Sequence, residues 1–179
     1  MPAVTYQIDP AHSHAQFKVR HMMIANVRGE FSKVSGAIVY DVDNPSASRV
    51  NAEIDASTIN TREPQRDEHL RSGDFFDVAR HPSITFASTS VTASGPGSFE
   101  VVGYLTIRGN TRRVALTVEE VTPEAKDPWG NTRRGASAKT RINRKNFGLE
   151  WNMALEAGGF LVGDEVEITI DVELIRQAA

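Results

Sequence analysis

The run VEITIDVELI near the C-terminus alternates without a break. Val166, Ile168, Ile170, Val172 and Leu174 fall on one parity, and Glu167, Thr169, Asp171 and Glu173 on the other. A β-strand sends successive side chains to opposite faces, so this pattern builds a strand with one apolar and one wetted face. SHAQFKVRH repeats it, with Ala15, Phe17, Val19 and His21 against His14, Gln16, Lys18 and Arg20. Similar runs lie near 31–42, 49–57, 83–92, 98–108, 112–121 and 134–144, which makes about eight strands. DNPSAS, ASGPGS, RGNT and KDPWGN punctuate them with residues that accept turn geometry.

Two segments break the period. QRDEHLRS, ended by Gly73, reads as a short helix, and 146–165 holds either a second helix or a long loop. Antiparallel strands wetted on one face must hide the other. With few helices to cover them, the economical arrangement is closure into a barrel, which also removes the sheet edges. The expectation is therefore an all-β chain, an eight-stranded antiparallel barrel with one or two short helices, forming a single domain over 1–179. At eight strands the interior is either filled by side chains or open to one small ligand.

Composition narrows the chemistry. The absence of cysteine removes disulfides, thiolate metal sites and cysteine nucleophiles. A net charge of −3 argues against nucleic acid as a partner. Ten of the twenty Lys and Arg nevertheless fall between Arg108 and Lys145, against four acids there. That is either ordinary solvated surface or a basic face for anionic head groups. No apolar run is long enough to span a bilayer and no signal peptide is visible. The expected compartment is the cytoplasm, or the periplasm if a leader has been removed.

Three of the five histidines lie between His12 and His21. In one regular strand His12 and His14 point together, whereas His21 points with Phe17 and Val19, so the three do not converge on an ion. His69 and His81 do not belong to a ligand-spaced pair, and no metal is expected. His21, a titratable group on the apolar parity, is either a hydrogen-bonded histidine of the interior or strand end, or a ligand contact.

Four ordered motifs, IDPAHSHAQFKVRHM, RDEHLRSGDFFDVARHPSITFAST, GYLTIRGNTRRVAL and INRKNFG, resemble the YceI-like polyisoprenoid-binding family over nearly the whole chain. The second is the most specific, through Arg66, Asp67, His69, Leu70, Ser72, Asp74, Phe75, Phe76, Asp77, His81 and Pro82. Asn146 departs from the acid that precedes Phe-Gly in the family pattern. The resemblance implies a lipocalin-like barrel with an apolar tunnel. It further implies a long-tailed isoprenoid ligand, either a polyprenyl phosphate or an isoprenoid quinone, with no other cofactor, and a frequent homodimer.

Inward parity nominates Phe17, Val19, His21, Ile84, Phe86, Leu105 and Ile107 for the tunnel wall, against plain core packing. Phe75, Phe76, Phe147 and Trp151, beside the irregular segments, belong at a mouth or lid, or else plug the barrel end as core aromatics. His21, Arg66, His69 and Arg144 are the head-group candidates. For Arg66 and His69 the competing role is to brace their own helix and loop. Trp129, at a hairpin tip, either touches a membrane surface transiently or folds back. The leading function is carriage or sequestration of an isoprenoid lipid, without catalysis. The alternatives are an enzyme using His21 as general base on a small apolar substrate, and a filled barrel serving as a docking module.

Overall fold

The computed structural model describes residues 3–156 and 158–178. Each of the first three barrel strands is broken into two. The first consists of β1 (Val4–Ile8) and β2 (His14–His21), separated by a 3-10 turn at Pro10–His12. The second consists of β3 (Ala25–Phe31) and β4 (Val34–Tyr40), and the third of β5 (Arg49–Asp55) and β6 (Ile59–Asn60). After helix α1 (Pro64–Arg71) come β7 (Ser83–Gly95), β8 (Ser98–Ile107), β9 (Asn110–Glu119), the short β10 (Ala125–Lys126), β11 (Thr132–Asn143) and β12 (Val162–Arg176).

β12 closes the ring. On one edge it pairs with β11 from Asn143↔Glu165 to Arg133↔Ile175, and its other edge carries β1 and then β2 end to end. The circuit β12–β1–β4–β5–β7–β8–β9–β11 returns to β12, an all-β antiparallel barrel of eight strands with one short helix. β2, β3 and β6 extend the wall past β1 and β4 at one end.

The expected strands are present, but β1 and β3 are additional and the expected 31–42 strand begins only at Val34. VTYQI is too short to display a period, although Tyr6 and Ile8 are its buried pair. In ANVRGEF the apolar parity is hidden by Gly29, which faces Phe17 across the sheet. A Cβ on Gly29 would lie 2.4 Å from the Phe17 ring, so the position is small to admit that ring.

The expected helix over QRDEHLRS is α1, with Pro64 in its first turn and Ser72 as its cap. It is a polar helix, held by polar bonds rather than an apolar stripe. Buried Asp67 accepts from the Thr61 backbone N–H (2.8 Å) and hydroxyl, and Arg71 donates to the Ser57 and Ile59 carbonyls at 3.0 and 3.2 Å. The 146–165 segment is a loop rather than a second helix. A single 3-10 turn, Arg144–Phe147, ends at Gly148 with φ +79°, and irregular backbone follows. The reason is Arg144, whose guanidinium takes the Leu149 and Trp151 carbonyls that a helix would bond internally.

Candidate functional site

The barrel is hollow. A cavity of about 250 Å³ runs through it, far beyond the roughly 10–15 Å³ that one water needs. Along β11 and β12 its wall extends from the pair Arg134↔Leu174 to the pair Ile142↔Val166. Eight residues at about 3.3 Å each, tilted by about 40° in a barrel of this size, give a bore of about 20 Å. The wall is apolar except for Gln16, Ser48, Thr85, Ser137, Thr140 and two cations, Arg134 and Arg144. An apolar space of this kind stays dry and gains free energy when hydrocarbon fills it.

Phe17, Val19, Ile84, Phe86, Leu105 and Ile107 lie on this wall, as the alternation required, and Phe75 and Phe76 join them from the segment after α1. His21 does not. Its parity is inward, but the β12 register shifts between Val162 and Val166, and at that layer its partner Val162 supplies the wall instead. Phe147 is 1% exposed and packs into the core behind the wall. Trp151 lies outside the lining too, packed on lid groups: its ring meets His69 edge-on at 4.7 Å and lies tilted against Phe75 at 5.5 Å.

The lid over this end consists of α1 and the segment after it. Leu70, Phe75 and Phe76 face the bore, and Phe76 meets Phe31 edge-on at 5.5 Å.

Three of the four head-group candidates are consumed by the fold. Arg66 donates to the Thr61 hydroxyl (2.7 Å) and carbonyl (2.6 Å), and His69 bonds Asp74 at 2.9 Å, so both brace the lid. Arg144 does touch the cavity, but it is 3% exposed and nearly saturated. Its Nε donates to Gly163 (2.7 Å), Nη1 to Leu149 and Trp151 (2.5 and 3.0 Å), and Nη2 to Val162 (3.3 Å). Burial lowers its pKa, partly offset by Asp164. Its role is to clamp the 149–163 loop. His21 is the one candidate left with no side-chain hydrogen bond among the described residues, and it lies off the wall.

The polar group that sequence reasoning missed is Arg134, at the opposite end. Its guanidinium lies over the Tyr40 and Tyr6 rings at 5.2 and 5.8 Å, and its Nε donates to the Tyr6 hydroxyl at 3.0 Å. Tyr6 in turn donates to Glu124, which Arg176 also grips at 3.0 Å. The Tyr6 bond holds the Glu124 carboxyl below its usual pKa, and burial raises that of the Tyr6 hydroxyl. Nη1 of Arg134 reaches the Thr122 carbonyl at 3.4 Å, whereas Nη2 has no partner among the described residues. Arg134 thus borders the end of a greasy bore with one nitrogen unpartnered. The alternation did place Arg134 at one end of a strand. What it lacked was the neighbouring tyrosines and Glu124, which arrive from distant elements.

Outside the barrel, the 3-10 turn takes His12 away from His14. His12 bonds Asp9 at 2.7 Å, and His14 instead approaches Asp171 at 3.6 Å. Asp9, His12 and Glu173 bring three donor atoms within 4.8 Å of one another, a spacing that suits a metal. Arg133 already donates to both carboxylates, at 2.8 and 3.1 Å, and supplies the positive charge there. Half of the ten basic residues in the run 108–145, namely Arg133, Arg134, Arg141, Arg144 and Lys145, are matched by acids among the described residues. Trp129 is 80% exposed on the β10–β11 turn.

The model of the YceI-like domain family matches residues 6–174. A UPF0312 protein of Azotobacter vinelandii is 33% identical over 177 residues, covering 98% of this chain and 88% of its own. Among solved structures, Burkholderia cenocepacia BcnA superposes with a TM-score of 0.80 at 22% identity, over 93% of this chain and 98% of that one. A polyisoprenoid-binding domain from Saccharophagus degradans superposes with a TM-score of 0.69 at 15% identity, over 97% and 99%. Family model, full-length relative and barrel architecture agree: the chain belongs to the YceI-like family.

Proposed function

We propose that this barrel carries or sequesters a single isoprenoid lipid, with its tail in the bore and a neutral quinone ring at the Arg134 end. The observation that carries the reading is the continuous apolar cavity. An extended chain advances about 1.2 Å per bond, since a peptide's three bonds span about 3.6 Å. A four-bond isoprene unit then covers about 5 Å, and a bore of about 20 Å takes about four units. At about 0.8 kcal/mol per methylene, one five-carbon unit contributes about 4 kcal/mol before the costs of binding.

The polar end favours a quinone over a polyprenyl phosphate. Arg134 already shares Glu124 with Arg176, so little positive charge is left for a multiply charged head group. A quinone carbonyl needs one donor, which Nη2 offers, and the ring can stack beside Tyr40 and Phe99 (5.7 Å apart, edge-on). The geometry lends less to an enzyme, because among the described residues neither histidine nor carboxylate lies on the cavity wall. A filled docking module has no support from a hollow barrel.

The experiment is uptake from cyclodextrin of quinones and prenyl phosphates with matched tails, read by native mass spectrometry. One quinone per chain is expected, bound more tightly than the phosphate. Equal uptake of both would remove the head-group argument, and failure to take up either would remove the carrier.

A further inference from the structure

The lid end carries a surface that neither the barrel nor the cavity explains. Met22, Met23 and Ile24 at the β2–β3 tip and Met153 and Phe160 on the following loop are between 41% and 75% exposed. The two segments are far apart in sequence yet form one surface. Met22 N–H donates to the Leu161 carbonyl at 2.8 Å, and Met23 packs onto Gly159, where a Cβ would lie 2.1 Å from its Sδ. The loop is fixed beneath by Arg144 and by Asn152, which bonds both the N–H and the carbonyl of Val162.

The tip is also conformationally costly. The turn closed by Ile24 N–H to the His21 carbonyl (3.1 Å) has positive φ at both central residues, 52° at Met22 and 61° at Met23. Turns of that kind favour Asn-Gly, since a larger L side chain is strained there. Two methionines in these positions serve neither the turn nor the core. Strain kept at an exposed tip points to a contact made by the side chains themselves.

We infer that this surface docks the protein onto an anionic lipid bilayer, with the methionine tip, Ile24 and Phe160 dipping among the head groups beside the lid. Two observations select the bilayer over a second copy of the chain. First, the patch is a protruding tip of five large apolar residues, whereas a stable protein interface uses roughly 20–30 residues a side. Second, the segments 20–28 and 153–161 carry Arg20 and Arg28 against one acid, Glu156. Both arginines are exposed, and neither has an acid partner among the described residues. Guanidinium groups flanking an apolar tip suit acidic lipid head groups. The surface adjoins the cavity, since Val162 lines the bore and lies opposite His21 in the sheet. Its use in lipid transfer rests on the carrier reading, but docking is measurable on the protein without ligand.

The test is co-sedimentation with phosphatidylcholine–phosphatidylglycerol vesicles and with phosphatidylcholine vesicles. The wild type should bind the first more tightly. Met22→Asn with Met23→Gly should raise the melting temperature by about 2–4 °C by relieving the turn, while vesicle binding falls by more than about tenfold. Ile24→Ser, at the most exposed of the five, should weaken binding without altering stability, and Trp129→Ser at the far end should leave binding unchanged. Wild type that ignores both vesicles, or variants that bind as it does, would overturn the inference. A wild-type dimer in sedimentation that Ile24→Ser dissociates would also overturn it, with a second copy as the true occupant. Quinone uptake from cyclodextrin, measured alongside, separates the two readings: uptake without docking refutes the docking surface alone, and docking without uptake refutes the carrier alone.

Discussion

Ala138 lies midway along the bore. In the β11–β12 register it faces Ile170, four residues from the Arg134↔Leu174 end and four from the Ile142↔Val166 end. Its side chain is on the wall. Ala138→Trp should therefore divide the channel into two halves of about 10 Å, each long enough for about two isoprene units. The two displaced units are worth about 8 kcal/mol of gross transfer free energy. Ordering and incomplete burial take about half of this. The remaining 4 kcal/mol or so predicts about a thousandfold weaker binding of a long-tailed quinone. The fold should survive, because the indole enters empty space rather than packed core. The assay is a titration series with tails of increasing length, on wild type and variant. Wild-type affinity should climb to about four units and then level off, and that of the variant should level off at about two. If Ala138→Trp binds the longest tail as well as the wild type does, the tail does not lie in the bore.

Four further outcomes follow from the site and its surroundings. Arg134→Met should weaken quinone binding about tenfold while leaving a headless isoprenoid hydrocarbon unaffected, since only a charged donor is lost; the same titration measures both. Arg144→Met removes the partner of four carbonyl groups and should cost about 3–5 kcal/mol in urea unfolding, with Arg144→Lys recovering only part because an ammonium lacks the fork. The Arg133 bond holds the Asp127 carboxyl at about 2 against an ordinary 3.8. Its stabilisation is present above 3.8 and lost as pH falls toward 2, so Asp127→Asn should flatten the acid limb of a melting-temperature profile. His12 is shifted the other way, upward by its bond to Asp9. That contribution is present below 6.5 and fades as pH rises past it, so His12→Ala should remove a small alkaline loss.

Strand parity was readable because the wall it predicts is made of long, regular strands. Phe17, Val19, Ile84, Phe86, Leu105 and Ile107 were nominated by alternation alone, and all six line the cavity. What parity does not encode is where a strand stops facing the bore. His21 obeys the period and still lies off the wall, because the β12 register shifts there and its partner Val162 takes the lining position. Charged residues were harder still. Nothing local distinguishes Arg144, whose donors are taken by carbonyls up to nineteen positions away, from Arg134, whose Nη2 stays open. Residue type shows that a guanidinium is present; only packing shows whether its donors are already spent. The histidine cluster failed for a related reason. Pro10 starts a 3-10 turn that ends the strand geometry on which the His12–His14 comparison depended.

The lid-end loop hangs from arginine rather than histidine. A guanidinium keeps its proton at any pH a cell experiences, so acidification has no handle on Leu149, Trp151, Val162 or Gly163. The titrating carboxylate and imidazole, Asp127 and His12, are clustered around Arg133 at the other pole. Only strong acid, by protonating Asp127, therefore loosens the barrel, and it does so at the end remote from the lid; a carrier of this design would release its lipid in response to contact at the lid rather than to a change in pH.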